Sequence, residues 1–126
     1  MKKAVSTTAA PGAVGPYSQG IEAGNLVFVS GQLPIDAATG AFVPGGAAEQ
    51  AAQSLKNIAA VLAAAGCTMD DVVKTTVFLT DMGKFTEVNE AYAKFFRGAC
   101  PARSAFQVGA LPKGAQVEIE AIALKA

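Results

Sequence analysis

The chain contains two arginines, Arg97 and Arg103. A guanidinium is the side chain best shaped to hold a carboxylate, because its planar fork donates parallel N–H groups to both oxygens. Arg97 falls at the end of a predicted helix, where a cation beside the negative end of the helix dipole has a sufficient structural reason. Arg103, in the run Pro101-Ala102-Arg103-Ser104, opens a predicted strand and has no such reason. On the residues alone, a carboxylate clamp and a surface salt bridge weigh evenly for it. A pair of carboxylates follows in Val117-Glu118-Ile119-Glu120. Two positions apart on a strand, they share a face at about 6.5–7 Å, near the separation some acid/base pairs use. Any solvated strand has the same spacing, so solvated charges are the simpler reading of that pair. Tyr17 in a Gly/Pro loop, Ser30 at a strand end before Gly31, and Asn89 at the edge of a helical apolar face each fit either a turn or a pocket wall.

What is missing narrows the chemistry. The chain has no histidine, so Ser–His and Cys–His nucleophile pairs are excluded and any hydrolysis must run on carboxylate, tyrosine, lysine or water. Cys67 and Cys100 are far apart with no Cys-x-x-Cys pair, which argues against a zinc site; both are expected to be buried small hydrophobes. Ten basic and ten acidic residues give a formal net charge of zero without any block of like charge, so no nucleic-acid partner is expected. A near-neutral chain that is 52% hydrophobic is poorly protected against association, and a closed homo-oligomer is the expectation. No stretch has the apolar length of a signal peptide or membrane span, so the protein is expected to be cytoplasmic, with no membrane partner.

The elements that must position these residues can be read from pattern. A length of 126 residues fits one domain, 1–126. After a short first strand, residues 6–20 form a Gly/Pro-rich loop. Gln19–Ala23 and Leu26–Ser30 flank Gly24-Asn25, the signature of a tight hairpin. Ala47–Ala65 carries Ala51, Leu55, Ile58, Leu62 and Ala65 at helical spacing, with Gln50, Gln53, Lys56 and Asn57 off that stripe and Gly66 as its terminator. Val72–Thr80 is β-branched and predicts a strand with Val73, Val77 and Leu79 on one side. A second helix is predicted from about Lys84 to Arg97, with Phe85, Val88, Tyr92, Phe95 and Phe96 inward. Strands at Ser104–Val108 and Gln116–Leu124 close the chain around a turn at Leu111–Gly114. The last strand turns Val117 and Ile119 one way, and Glu118, Glu120, Ile122 and Leu124 the other. The order β-ββ-α-β-α-ββ predicts an α+β two-layer sandwich, about six strands with two helices on one face.

Five ordered blocks then carry a resemblance over almost the whole chain. Gly15-Pro16-Tyr17-Ser18-Gln19-Gly20, Val29-Ser30-Gly31-Gln32-Leu33-Pro34, Lys74-Thr75-Thr76-Val77-Phe78-Leu79, Pro101-Ala102-Arg103-Ser104 and Val117-Glu118-Ile119-Glu120-Ala121 together resemble the RidA, or YjgF, family. The resemblance implies a chorismate-mutase-like fold with a mixed sheet, a homotrimer with ligand clefts between subunits, and no cofactor. It implies a hydrolase that deaminates 2-imino acids, such as 2-iminobutanoate and 2-iminopropanoate from pyridoxal-phosphate-dependent dehydratases, to 2-oxo acids and ammonia, a form of metabolite damage control. The family's site residues fall on Tyr17, Ser30, Gly31, Asn89, Arg103 and Glu118. That tips Arg103 toward a substrate clamp and selects Glu118 over Glu120. Many deaminase members have cysteine two residues after the arginine where this chain has Ala105, a position that still lines the implied pocket through its backbone. Two other readings stay open: a 2-oxo acid binding or regulatory module, and an RNA-cleaving translation inhibitor, against which the zero net charge and missing histidine count.

Overall fold

A computed structural model describes residues 1–126. The longer helix, α1 (Ala47–Ala64), forms where small and aliphatic residues recur every three to four positions, and Ala51, Leu55, Ile58 and Leu62 are wholly buried. Its first turn is closed by the Glu49 carboxylate, which accepts the Gly46 N–H at 2.8 Å. Gly66, at φ +80°, ends it in the left-handed conformation that glycine adopts without cost. Gln50 and Asn57, expected off the stripe, are buried as well. Each satisfies partly buried backbone. Gln50 accepts the Gln116 N–H at 2.8 Å, and the Asn57 amide donates to the carbonyls of Leu33 and Ile35 at 3.0 and 2.9 Å.

The main sheet takes its strands from both ends of the chain. β1 (Lys2–Val5), β2 (Gly20–Ala23) and β3 (Leu26–Gln32) form an antiparallel meander, β2 and β3 joined at Gly24-Asn25 as the turn residues require. A small hairpin of β4 (Ile35–Asp36) and β5 (Ala41–Phe42), not anticipated from the Pro/Gly-rich connection, precedes α1. Then follow β6 (Val72–Leu79), α2 (Phe85–Ala93), β7 (Ala102–Gln107) and β8 (Val117–Leu124). The six-stranded order is β1-β2-β3-β8-β6-β7, with β6 and β7 parallel and β8 antiparallel to both its neighbours. The crossovers β3-α1-β6 and β6-α2-β7 advance the same way across the sheet, and connections of one hand then put both helices on one face. The core lies between that face and the helices: Val27, Val29, Val77, Leu79, Val117 and Ile119 meet Leu55, Ile58, Leu62 and Val88. This is the expected α+β sandwich.

Three local expectations are corrected. Val73 is 43% exposed, because a bulge between Val72 and Lys74 inserts it as an extra residue and Val72 and Thr75 take the inward positions instead. α2 stops at Ala93, not Arg97: Phe95 and Phe96 bond back three residues, to Tyr92 and Ala93, and the tightened turn lets Phe96 bury against the Tyr92 ring at 4.8 Å. Arg97 therefore lies beyond the helix, exposed, and the dipole explanation does not apply to it. Cys67 is buried as expected, whereas Cys100 is exposed in the turn before β7. No helix is long and apolar enough to cross a membrane.

Candidate active site

On the sheet face away from the helices, β3 bulges where it meets β8. Val29 pairs with Ala121 and Gln32 with Ile119, so Ser30 and Gly31 together oppose the single residue Glu120. A bulge re-aims side chains, and this one brings the Gly31 backbone against Glu118. A Cβ built on Gly31 would stand 2.9 Å from both Cδ and Oε2 of Glu118, so only glycine leaves the carboxylate its seat. Ser30 donates its hydroxyl to the Ser18 carbonyl at 2.6 Å, and its N–H bonds the Gln19 carbonyl at 2.9 Å. Ser30 thereby ties down the loop that carries Tyr17. Tyr17, Ser30, Gly31, Glu118 and Glu120 all line one open cavity of about 460 Å³.

The loop itself is organised by a residue the sequence reading passed over. Gln19 is buried, accepts the Thr7 N–H at 2.7 Å and donates to the carbonyls of Thr7, Ala10 and Pro11 at 3.0, 3.3 and 2.7 Å. One amide satisfies a loop that glycine and proline keep out of helix and sheet. The available signal was a glutamine followed directly by Gly20, at the point where that loop enters a strand.

Burial, and secondarily the charge of Glu120, pushes the Glu118 carboxyl above the ordinary carboxylate range. The two ion pairs of the chain are Lys84–Glu87 and Lys125–Glu22, so no cation within the chain neutralises Glu118.

Arg103 and Asn89 lie elsewhere. Arg103 projects from the edge strand β7 toward the helix side, where its Nη1 donates to Asn89 Oδ1 at 2.8 Å. Its guanidinium carbon lies 5.2 Å from the Phe85 ring centre and 4.9 Å from that of Tyr92. Phe85, Asn89 and Tyr92 are spaced i, i+4, i+7, so α2 presents them as one stripe. All three partners are uncharged. The salt-bridge reading of Arg103 fails within the chain, and the cation keeps most of its five N–H donors for an external anion. Ala105 shares the Arg103 side of β7 and packs partly buried against the core.

The two groups do not meet inside one chain. Arg103 is level with Thr75 on β6, and Glu118 with Phe78, three residues further along. With two strand spacings between β7 and β8, their backbones are about 14 Å apart, and their side chains leave opposite faces of the sheet. Tyr17, Ser30, Gly31 and Glu118 form one group, and Arg103 and Asn89 form another on the opposite face. No cluster of three acidic, cysteine or histidine groups is placed to hold a metal.

Comparison with known proteins identifies this frame. The family model described as Endoribonuclease L-PSP matches residues 7–125. The chain belongs to the RidA (YjgF) family. A mouse RidA relative, named 2-iminobutanoate/2-iminopropanoate deaminase, is 52% identical over 99% of the chain and 93% of its own length. The human protein of that name is 49% identical over 99% of the chain and 91% of its own length. Among solved structures, the chain superposes on Escherichia coli TdcF with bound serine at a TM-score of 0.94 and 45% identity, covering 98% of this chain and 99% of that one. The E. coli YjgF product gives a TM-score of 0.95 at 46% identity, with 98% and 99% covered. The mixed sheet carrying two helices on one face is thus that of the RidA fold.

Proposed function

We propose that this protein hydrolyses 2-imino acids to 2-oxo acids and ammonia, as the names of its mammalian relatives describe for them. The observation that carries the reading is the Arg103 guanidinium, held by an amide and two ring faces with no carboxylate of its own. Such a cation fits a small 2-imino or 2-oxo acid by its carboxylate. The imine carbon then faces a water held by Glu118, with Tyr17, Ser30, Gly31, Asn89 and the backbone at Ala105 as the remaining walls. Water adds to the C=N carbon to give a carbinolamine; a proton passes to nitrogen through the Glu118 carboxylate; the C–N bond breaks and ammonia leaves a 2-oxo acid. Positioning supplies most of the acceleration, since such imines also hydrolyse unaided.

Because the two half-sites are apart within the chain, the reading includes a homotrimer in which Arg103 of one subunit faces Glu118 of its neighbour. The exposed apolar residues Phe28 and Phe106, at 41% and 54%, support an assembly that covers this sheet. The reading also includes a cytoplasmic protein that needs no cofactor and no nucleic-acid or membrane partner. The test is to add purified protein to a turning-over threonine dehydratase: release of 2-oxobutanoate accelerates, and Arg103→Ala abolishes the acceleration without loss of fold. Undiminished acceleration by that variant overturns the clamp. Binding of 2-oxobutanoate with no acceleration would identify a binding or regulatory module instead.

The description of the matching family model makes RNA cleavage the second reading. Salt-dependent RNA binding, with cleavage that survives Arg103→Ala, would favour it.

A further inference from the structure

Three contacts close a ring that includes Arg103. Its backbone is level with Thr75 in the parallel pairing of β6 and β7. Its guanidinium lies against the Tyr92 ring, 4.9 Å from the centre. The Tyr92 hydroxyl, in turn, is hydrogen-bonded to the Thr75 hydroxyl at 2.6 Å. Thr75 and Tyr92 are both buried, at 1% and 6% exposure, so water does not compete for that bond. The loop thus runs from strand rung to cation, from cation to ring, and from ring back to the same rung.

A valine at position 75 would fill the core as well as threonine does, and a phenylalanine at position 92 would offer the same ring. What the two hydroxyls add is orientation. A phenyl ring free of that anchor can tilt about its side-chain torsions, which are broad at χ2. The face of the ring carries the negative potential that attracts the cation, so a tilted ring moves or releases the guanidinium. Arg103 has no ion pair to hold it otherwise. Its other fixed points are the Asn89 amide oxygen and the Phe85 ring.

We propose that Thr75 and Tyr92 are positioning residues for the substrate carboxylate: their buried hydroxyl pair fixes the ring on which the Arg103 guanidinium rests, and so aims its free N–H groups. Neither residue touches substrate. The inference rests on Arg103 being the carboxylate clamp. One hydrogen bond of this kind is worth about a five- to tenfold change in affinity.

The experiment measures 2-oxobutanoate affinity by calorimetry, KM and kcat for 2-iminobutanoate, and Tm, for wild type, Thr75→Val, Tyr92→Phe and the double variant, each also in an Arg103→Ala background. The expected result is about five- to tenfold weaker binding and higher KM in each single variant, kcat changed by less than about twofold, and no further loss in the double variant. In the Arg103→Ala background, where no guanidinium remains to be aimed, neither substitution changes the residual affinity. Thr75→Ser keeps the hydroxyl and holds affinity near the wild-type value. Wild-type affinity and KM in Thr75→Val and Tyr92→Phe, with Arg103→Ala still weakening binding strongly, overturn this inference and leave the clamp intact. If Arg103→Ala itself binds as tightly as wild type, the clamp falls and the inference with it. Losses that follow Tm alone, and are equal with and without the Arg103 guanidinium, overturn the positioning role by showing a structural one.

Discussion

Gly31→Ala separates the site from the scaffold. The added methyl would lie 2.9 Å from Cδ and Oε2 of Glu118 and 3.2 Å from its Cγ, whereas ordinary contact begins near 3.4 Å. The carboxylate must therefore retreat by about half an ångström or more. Gly31 is not at positive φ, so alanine meets no backbone strain there. What yields is the end of a flexible, half-buried side chain, so the cost in stability is at most about 1 kcal/mol, partly offset by the reduced freedom of the unfolded chain. Catalysis is less forgiving: displacing a positioned group by up to about 1 Å costs about 10- to 100-fold. The assay pairs a thermal melt with dehydratase-coupled release of 2-oxobutanoate. The expected result is a Tm within a few degrees of wild type, KM nearly unchanged because Arg103 is untouched, and kcat down by about 10- to 100-fold. A kcat within twofold of wild type would refute the argument that Glu118 holds the reacting water, and a collapse in Tm would refute the claim that only its carboxylate gives way.

Further expectations follow from the same contacts. Burial, and then Glu120, raises the Glu118 carboxyl above its ordinary 4.5, so kcat should fall as pH drops through an inflection above that value, and Glu120→Gln should move the inflection to lower pH. The stability sign is the reverse of a salt-bridged acid: a raised folded pKa gives stability that is present below the unfolded pKa and lost as pH rises through the folded one. Glu118→Gln should therefore melt no lower than wild type at neutral pH while losing activity, as paired melts and rates would check. Asn57→Ala removes the donor to the Leu33 and Ile35 carbonyls and should cost about 1–3 kcal/mol in urea unfolding, because it strands partly buried acceptors and leaves a cavity at a buried side chain. A thiol reagent should modify Cys100 quickly in the native protein and reach Cys67 only on unfolding, since Cys67 is buried and its thiol pushed up chiefly by that burial; mass spectrometry after brief labelling distinguishes one adduct from two.

The sequence was most legible where one period ran unbroken. The stripe Ala51, Leu55, Ile58, Leu62 and the alternation of Val117 and Ile119 with Glu118 and Glu120 fixed α1 and β8, both of which align with the core as expected. The Gly24-Asn25 hairpin was legible because few residue pairs make that turn. Local rules failed where tertiary packing broke the period. The bulge at Val73 shifts phase with no turn residue to announce it, the one at Ser30-Gly31 has Gly31 as its one local sign, and α2 ends early as the chain beyond Ala93 tightens, Phe95 and Phe96 bonding back three residues so that Phe96 packs on the Tyr92 ring. Gln50 and Asn57 looked like surface amides because their partners are distant backbone groups, 66 and 22 to 24 residues away. At the site, residue types pointed to Arg103 and to a carboxylate pair, but nothing in their spacing separates Glu118 from Glu120. That choice came from resemblance alone; the structure adds a difference the spacing does not carry, since the bulge at Gly31 makes room for the Glu118 carboxylate while Glu120 stays exposed.

The central claim is that two half-sites, far apart within each chain, complete one another between subunits. Co-expression of Arg103→Ala and Glu118→Gln chains carrying different tags, followed by two-step purification of the mixed oligomers, tests it most directly. Each variant alone should be inactive in the dehydratase-coupled assay. In a mixed trimer of either composition, about one cleft in three pairs an intact arginine with an intact glutamate, so about a third of wild-type activity should return. Mixed oligomers as inactive as either parent would contradict the shared site.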